Sequence, residues 1–260
     1  MSEIPDSIPR TQNSGPVVHP QYSIVVPCFN EQDNIVRLLD EIVAMIAGDP
    51  AFEIIIVDDC SEDATRTRLI QAKERLIPAP KLVSHEVNSG QSAAICTGID
   101  VAKGSWIATL DGDGQNDPHD IPKLIQILNE ARDESGVPII CGHRTTRRDS
   151  WVRKLSSRIA NAVRAGLLND ATADTGCGLK LISREAFMRL PRFDHMHRFL
   201  PALIQRDGGY VISVAVGHRP RQAGHSKYGI HNRLWAGIID LVGVMWLRRR
   251  KFKSTNFEEY

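Results

Sequence analysis

The stretch WIATLDGDGQNDP, residues 106–118, drives an apolar run straight into two carboxylates separated by a single glycine. Carboxylates two positions apart at a strand end project to the same side. Held that close, Asp111 and Asp113 repel each other unless a cation lies between them. The stretch therefore predicts a buried strand that stops at a site for a charged ligand.

The same arrangement recurs upstream. YSIVVP (22–27) is a short β-branched run closed by Pro27 and followed by Asn30-Glu31, and EIIIVDD (53–59) ends in Asp58-Asp59. Between them Ile35, Leu38, Leu39, Ile42, Val43 and Ile46 recur at helical spacing, with Asn30 to Asn34 offering N-caps. Ser61 and Asp63 are placed to cap a helix running to about Leu76. KLVSH (81–85) reads as a strand, 90–102 as a helix, HDIPKLIQILNEA as another helix and PIICG (138–142) as a strand. Asp117-Pro118 suits a helix start, with proline near the first position. Strand and helix alternate, which predicts an α/β domain with a parallel sheet and helices on both faces. Ligands in such sheets collect beyond the carboxyl ends of the strands. Asn30-Glu31, Asp58-Asp59 and Asp111-Asp113 are then expected to form one acidic rim.

Bulk composition adds an asymmetry. Residues 1–142 carry 10 Lys/Arg against 22 Asp/Glu, whereas residues 143–260 carry 22 against 9. Two halves with opposite charge imply different electrostatic tasks. The five cysteines are scattered without a C-x-x-C pair, which argues for reduced thiols in a cytosolic setting and against a disulfide scaffold or a zinc site. Residues 1–20, with four prolines and no apolar core, read as a mobile tail and not as a signal peptide.

Known ligand motifs narrow the choice. An EF-hand counted from Asp111 would need glycine and glutamate where Asn116 and Pro122 stand. No G-x-G-x-x-G or P-loop is present. A haloacid-dehalogenase-like phosphatase with Asp111 as nucleophile is a distant alternative, since no later Gly-Asp pair follows to hold its metal. The ordered set VPCFNE, IIIVDDCSEDAT, EVNSGQSAA and TLDGDGQNDP instead resembles the family 2 glycosyltransferases of the GT-A fold. Within them it is similar to the polyprenyl-phosphate sugar synthases, the group that includes dolichyl-phosphate mannose synthase. The resemblance covers about 22–230. It implies a mostly parallel central sheet, with Pro27, Asn30, Glu31, Asp58 and Asp59 lining a nucleotide pocket. It also implies that Asp111, Asp113 and Gln115 hold a divalent cation, Mg²⁺ or Mn²⁺, on the donor diphosphate. A hard cation with oxygen ligands suits that task, because it stabilises the charge on a departing nucleoside diphosphate.

The second substrate should differ in kind from a sugar hydroxyl. A hydroxyl acceptor needs a general base, whereas a phosphate monoester, with a second pKa near ~6, is already ionised at neutral pH. Such an acceptor calls for arginines. GHRTTRRDSWVRKLSSRIANAVRAGLL (142–168) supplies seven Lys/Arg against one acid. The resemblance places Arg144, Arg153 and Ser157 on the phosphate of a polyprenyl acceptor. It places Arg221, Ser226 and Lys227, in GHRPRQAGHSKYG (217–229), on a loop closing over the diphosphate. Asp111, Asp113, Arg221 and Lys227 then carry the catalysis, and Ser226 joins the phosphate contacts. DTGCGLK (174–180) matches the family loosely, with Gly176, Cys177 and Lys180 as candidates for touching the sugar. His195, His197, His218, His225 and His231 have no recognised ligand spacing and read as structural. If the acceptor were instead a saccharide hydroxyl, Asp174 would be the base to suspect.

LWAGIIDLVGVMWL (234–247) is followed by RRRKFK. Fourteen helical residues span about 21 Å, short of a hydrocarbon core of about 30 Å. Two readings remain open: an interfacial helix anchored by Trp235 and Trp246 with a basic end, or a core helix closing the domain. The expected organisation is a tail (1–20), a transferase domain (21–230, divided into a nucleotide and metal half at 21–142 and an acceptor half at 143–230) and a basic membrane-surface segment (231–260). The whole is expected on the cytoplasmic face of a membrane, with a nucleotide-sugar donor and no nucleic acid partner.

Overall fold

The computed structural model describes residues 19–131, 136–144, 168, 172, 174–220 and 230–250, with only the helical backbone at 230–236 and 238. Seven strands form one sheet: β1 (Tyr22–Cys28), β2 (Phe52–Asp58), β3 (Lys81–Ser84), β4 (Trp106–Thr109), β5 (Pro138–Arg144), β6 (Lys180–Ser183) and β7 (Tyr210–Val216). Their order is β3-β2-β1-β4-β6-β5-β7. The helices are α1 (Ile35–Ile46), α2 (Thr65–Arg75), α3 (Gln91–Val101), α4 (Ile121–Glu130), α5 (Arg184–Met188), α6 (Leu200–Arg206) and α7 (Ile230–Arg249). Short 3₁₀ turns cover Pro118–Asp120 and Met196–Arg198.

Every residue of β1 is buried, as expected for a strand with both faces covered. Its side chains divide by parity: Ile24 and Val26 enter the core beneath α1, α2 and α4, and Val25 enters the core beneath α3, α5, α6 and α7. Helix α1 buries Ile35, Leu38, Leu39, Ile42 and Ile46, the stripe its spacing implies. Asn34 stands at its N-cap position without capping, and its amide donates instead to Glu31 Oε2 at 2.8 Å. Asp63 does serve the start of α2, accepting from the Thr65 amide at 2.9 Å.

Uniform strand–helix alternation fails in the second half. β6 and β7 were not among the expected strands, and β6 runs antiparallel to both β4 and β5. The reversal has a geometric use. In an antiparallel pair the start of one strand meets the end of the other, so Lys180 at the head of β6 lies opposite Thr109 at the tail of β4. Thr109 Oγ1 donates to Gly178 O at 2.6 Å and fixes the approach. The segment 174–179 is thereby laid across the carboxyl end of the sheet.

Close packing of α3 on β1 depends on Gly98, where a Cβ would stand 2.4 Å from Val25 Cγ1 and 3.2 Å from Val57 Cγ2. G98A should therefore cost about 1–3 kcal/mol in urea denaturation through overpacking, despite alanine's better helix propensity.

Candidate functional site

At the carboxyl ends of β1 and β2, two loops hold each other by hydrogen bonds. Asn30, in a left-handed conformation with φ 52°, donates its amide to Ser61 Oγ at 2.9 Å and accepts from the Glu62 amide at 2.7 Å. The Glu31 amide donates to Thr65 Oγ1 at 2.8 Å. Asp58 Oδ1 accepts from the Ser61 amide at 3.2 Å. The β1 and β2 part of the expected rim is brought together here: burial pushes the Cys28 thiol well up, and Asp58, Glu31, Asp63 and Asp59 push it further.

Asp59 is buried and its carboxylate faces the protein. Oδ1 meets His85 Nδ1 at 2.7 Å and the Ser89 amide at 2.9 Å, and Oδ2 accepts from the Gly90 amide at 2.8 Å. These contacts tie the β2 end to the loop preceding α3, so Asp59 orders the pocket wall rather than presenting its carboxylate. Pro27 does line the central cavity.

That cavity, about 570 Å³, has Asp111 at its base. Its walls come from Gln91 on α3, from Gly178 and Lys180, and from His197 and Arg198 on the turn before α6. The Asp111 carboxylate lies under Gly178, where a Cβ would be only 2.3 Å from its Cγ. Oδ1 accepts from Gln91 Nε2 at 2.7 Å. Burial, and then the charge of Asp113, raise the Asp111 carboxyl from its ordinary value to about 6, against the opposing pull of Lys180 and Arg144. Asp113 Oδ1 accepts from the Gln115 amide at 3.1 Å, closing the tight turn in which Gly114 has φ 70°. A second strand of chain braces Gln115, whose carbonyl accepts from the Arg219 amide at 2.9 Å. The donor set of Asp111, Asp113 and Gln115 is all oxygen, and its first carboxylate is destabilised by its neighbour. Both properties fit a hard divalent cation.

Arg144 and Asp174, assigned opposite roles from sequence, form one ion pair. Arg144 Nε donates to Asp174 Oδ2 at 2.6 Å and Nη2 to Oδ1 at 2.8 Å. The Gly176 amide also donates to Oδ1, at 3.2 Å. Arg153, Ser157, Arg221, Ser226 and Lys227 lie outside the described residues.

Sequence reasoning passed over Gln91 and dismissed His197. Gln91 lies in EVNSGQSAA, read as a helix start and as one of the motifs of the resemblance, with no role given to Gln91 itself. His197 is brought in by the chain crossing back over α3, where its Nδ1 lies 2.7 Å from Ser92 Oγ. No local spacing announces a contact between residues 105 positions apart.

An acidic floor at the carboxyl end of a mostly parallel sheet, with an antiparallel strand folded over it, defines a nucleotide-sugar transferase of the GT-A type. The chain belongs to glycosyl transferase family 2, whose family model matches residues 23–190. This excludes the phosphatase alternative for Asp111. The chain is 36% identical over 256 residues to a dodecaprenyl-phosphate galacturonate synthase of Rhizobium johnstonii, covering 96% of this chain and 73% of that protein. It is 33% identical over 211 residues to an undecaprenyl-phosphate 4-deoxy-4-formamido-L-arabinose transferase of Edwardsiella ictaluri, covering 80% of this chain and 63% of that protein. It thus spans somewhat under two thirds of the length of the second relative. In fold it is similar to the Mycobacterium tuberculosis glucosyl-3-phosphoglycerate synthase crystallised with Mg²⁺ and uridine diphosphate, with TM-score 0.64, 20% identity and coverage of 88% and 79% of the two chains.

The raised Asp111 carboxyl carries a sign for stability. The unfolded chain ionises this group near its ordinary value, and the metal-free fold only near pH 6. Between those values the folded state holds the extra proton, so its contribution to stability falls as pH rises through that window. D111N should therefore melt higher than the metal-free parent at pH 7.5, by up to about 2 kcal/mol, with the gain shrinking towards pH 4.5 in calorimetry.

Proposed function

We propose that this chain moves a sugar from a nucleotide-sugar donor, a UDP-sugar or GDP-mannose, to a polyprenyl phosphate at a membrane surface. The two relatives differ in the sugar they are named for, yet both names specify a polyprenyl phosphate. The acceptor is therefore the part of the reaction best carried across. In a single inverting displacement a lipid phosphate oxygen bonds to the anomeric carbon as the bond to the donor diphosphate breaks. The nucleoside diphosphate leaves with the electron pair, and no proton need be moved.

The observation that carries this reading is the Arg144–Asp174 pair. With four N–H groups on its carboxylate, Asp174 is held as a counterion, which opposes a role as general base for a hydroxyl acceptor. Asp111, Asp113 and Gln115 would hold Mg²⁺ or Mn²⁺, which supplies charge neutralisation to the departing diphosphate. Glu31, Asn30, Pro27, Asp58 and Asp59 shape the nucleotide end. Arg144, with Arg153, Ser157 and Ser226, receives the lipid phosphate, and Arg221 and Lys227 close over the donor.

Helix α7 supports the membrane side of the proposal. Leu241, Val244 and Met245 pack into the second core, while Ile239, Val242 and Trp246 are 69%, 60% and 60% exposed on another face. Positions 239, 242 and 246 follow helical spacing, and Arg248 and Arg249 close the helix. One apolar stripe is thus packed and another faces outward beside a basic end, a combination suited to an anionic bilayer surface. The helix runs twenty residues and not fourteen, from Ile230 to Arg249. Among the described residues no helix is long and apolar enough to cross a membrane.

Incubation with labelled UDP-sugars or GDP-mannose and a short polyprenyl phosphate should give a lipid-linked sugar, lost in EDTA and restored by Mn²⁺. Donor hydrolysis without any lipid product would overturn the reading. D174N should retain transfer with a raised KM for the lipid. Full loss of transfer with both substrates still bound would instead mark Asp174 as a base. Separately, V242D/W246D should reduce flotation with anionic liposomes by about tenfold or more while leaving thermal melting unchanged.

A further inference from the structure

The cavity lined by Asp111 is lined also by Lys180 and His197, two groups given no role in the reading above. Lys180 is only 4% exposed, and its ammonium donates to the Cys177 carbonyl. It acts electrostatically on Asp111. Once a cation occupies Asp111 and Asp113, that compensation is shared with the metal, and the positive charge of Arg144 is already met by Asp174. A buried ammonium without its own anion is costly.

His197 lines the same cavity. The Ser92 hydroxyl accepts from the His197 amide at 3.3 Å and lies 2.7 Å from Nδ1. In the tautomer that accepts the Ser92 hydroxyl proton at Nδ1, the ring's own proton stands on Nε2. Burial, with the positive charges of Lys180, Arg198 and His195, holds the ring well below the usual imidazole range, so it is neutral at pH 7. A neutral ring with Nδ1 as acceptor presents Nε2–H as a donor, and the residue lines the cavity.

Resting on the transferase reading above, we infer that Lys180 and the Nε2–H of His197 form a receptor for an oxyanion on the donor sugar, so that the preferred donor is a nucleotide hexuronate whose carboxylate pairs with Lys180. A carboxylate accepts from both groups and gives the ammonium its counterion. A neutral hexose hydroxyl leaves that charge unmatched. Ser92 is a positioning residue, fixing which nitrogen of His197 carries the proton. The same pair of donors would also suit a phosphate, either the donor's own diphosphate or the lipid's, and these sources are separable by binding.

Isothermal titration in the presence of Mn²⁺ should compare UDP, UDP-galactose, UDP-glucose, UDP-galacturonate and UDP-glucuronate on the parent, H197A, H197Q and K180M. The parent should bind one of the uronates at least about tenfold more tightly than its neutral counterpart, from one charge-assisted hydrogen-bonded pair. K180M and H197A should erase the difference while leaving UDP affinity within about twofold. H197Q, which keeps an N–H near the Nε2 position, should restore part of it. Equal binding of acidic and neutral sugars by the parent, or no binding of any of these nucleotides, overturns the inference. Loss of UDP affinity in the variants would assign the receptor to the diphosphate. An effect confined to the KM for polyprenyl phosphate would assign it to the lipid, and either result overturns the proposal. If K180M fails to fold, the pair H197A and H197Q still decides. Lipid product formed equally from neutral donors would sink the sugar assignment alone, whereas tight uronate binding with no lipid product would sink the transferase reading alone.

Discussion

The site depends on one close contact, the Asp111 carboxylate lodged beneath Gly178. A strand that ran parallel to its neighbours would deliver its first residues to the opposite edge of the sheet. Because β6 is antiparallel, its approach crosses the edge where β4 ends, and a glycine there lets a backbone settle on a carboxylate. The contact removes water from Asp111, makes its charge costly and couples it to Asp113. Those are the conditions under which a cation becomes a favourable part of the structure.

Around this contact the remaining groups act mainly on each other. Asn30, Glu31 and Asp58 connect two loops, and Asp59 connects a third through His85 and the Gly90 amide. Rigidity at the carboxyl ends of the strands thus comes from polar bonds between loops that share no secondary structure. The turn carrying His197 is braced in a comparable way, by His195 Nδ1 standing 3.0 Å from Asp240 on α7. The helix with the outward apolar stripe and the turn that lines the cavity are therefore joined by one polar bond.

The first half of the fold was legible because local signals there agree with the tertiary outcome. Each strand of the nucleotide half is an apolar run ended by polar residues, and α1 shows its buried stripe at the expected intervals. β7, YVISVAV, carries a β-branched run of the same kind and was passed over, although no carboxylate follows it to mark a strand end. β6 was hidden because LKLIS is short and its neighbours DTGCG attracted attention as a motif. Among site residues, Asp111, Asp113 and Pro27 could be placed from strand ends alone. The partnership of Arg144 with Asp174 could not, since it depends on how the chain returns across 30 residues. Asp58 and Asp59 look equivalent in sequence, yet successive side chains of an extended segment diverge, and only the structure shows Asp59 committed to the α3 loop.

The distribution of sulfur in this fold has a practical outcome. Cys28, Cys96, Cys141 and Cys177 are buried, the first among the acidic loops and the last within the segment 174–179 that crosses Asp111. Cys60 alone is partly open, at the tip of the loop after β2, where the backbone turns through a left-handed conformation. A thiol-reactive fluorophore applied to the unaltered polypeptide would accordingly attach on the loop after β2, beside the residues proposed to shape the nucleotide end. Occupancy there could then be followed optically, with no engineered handle.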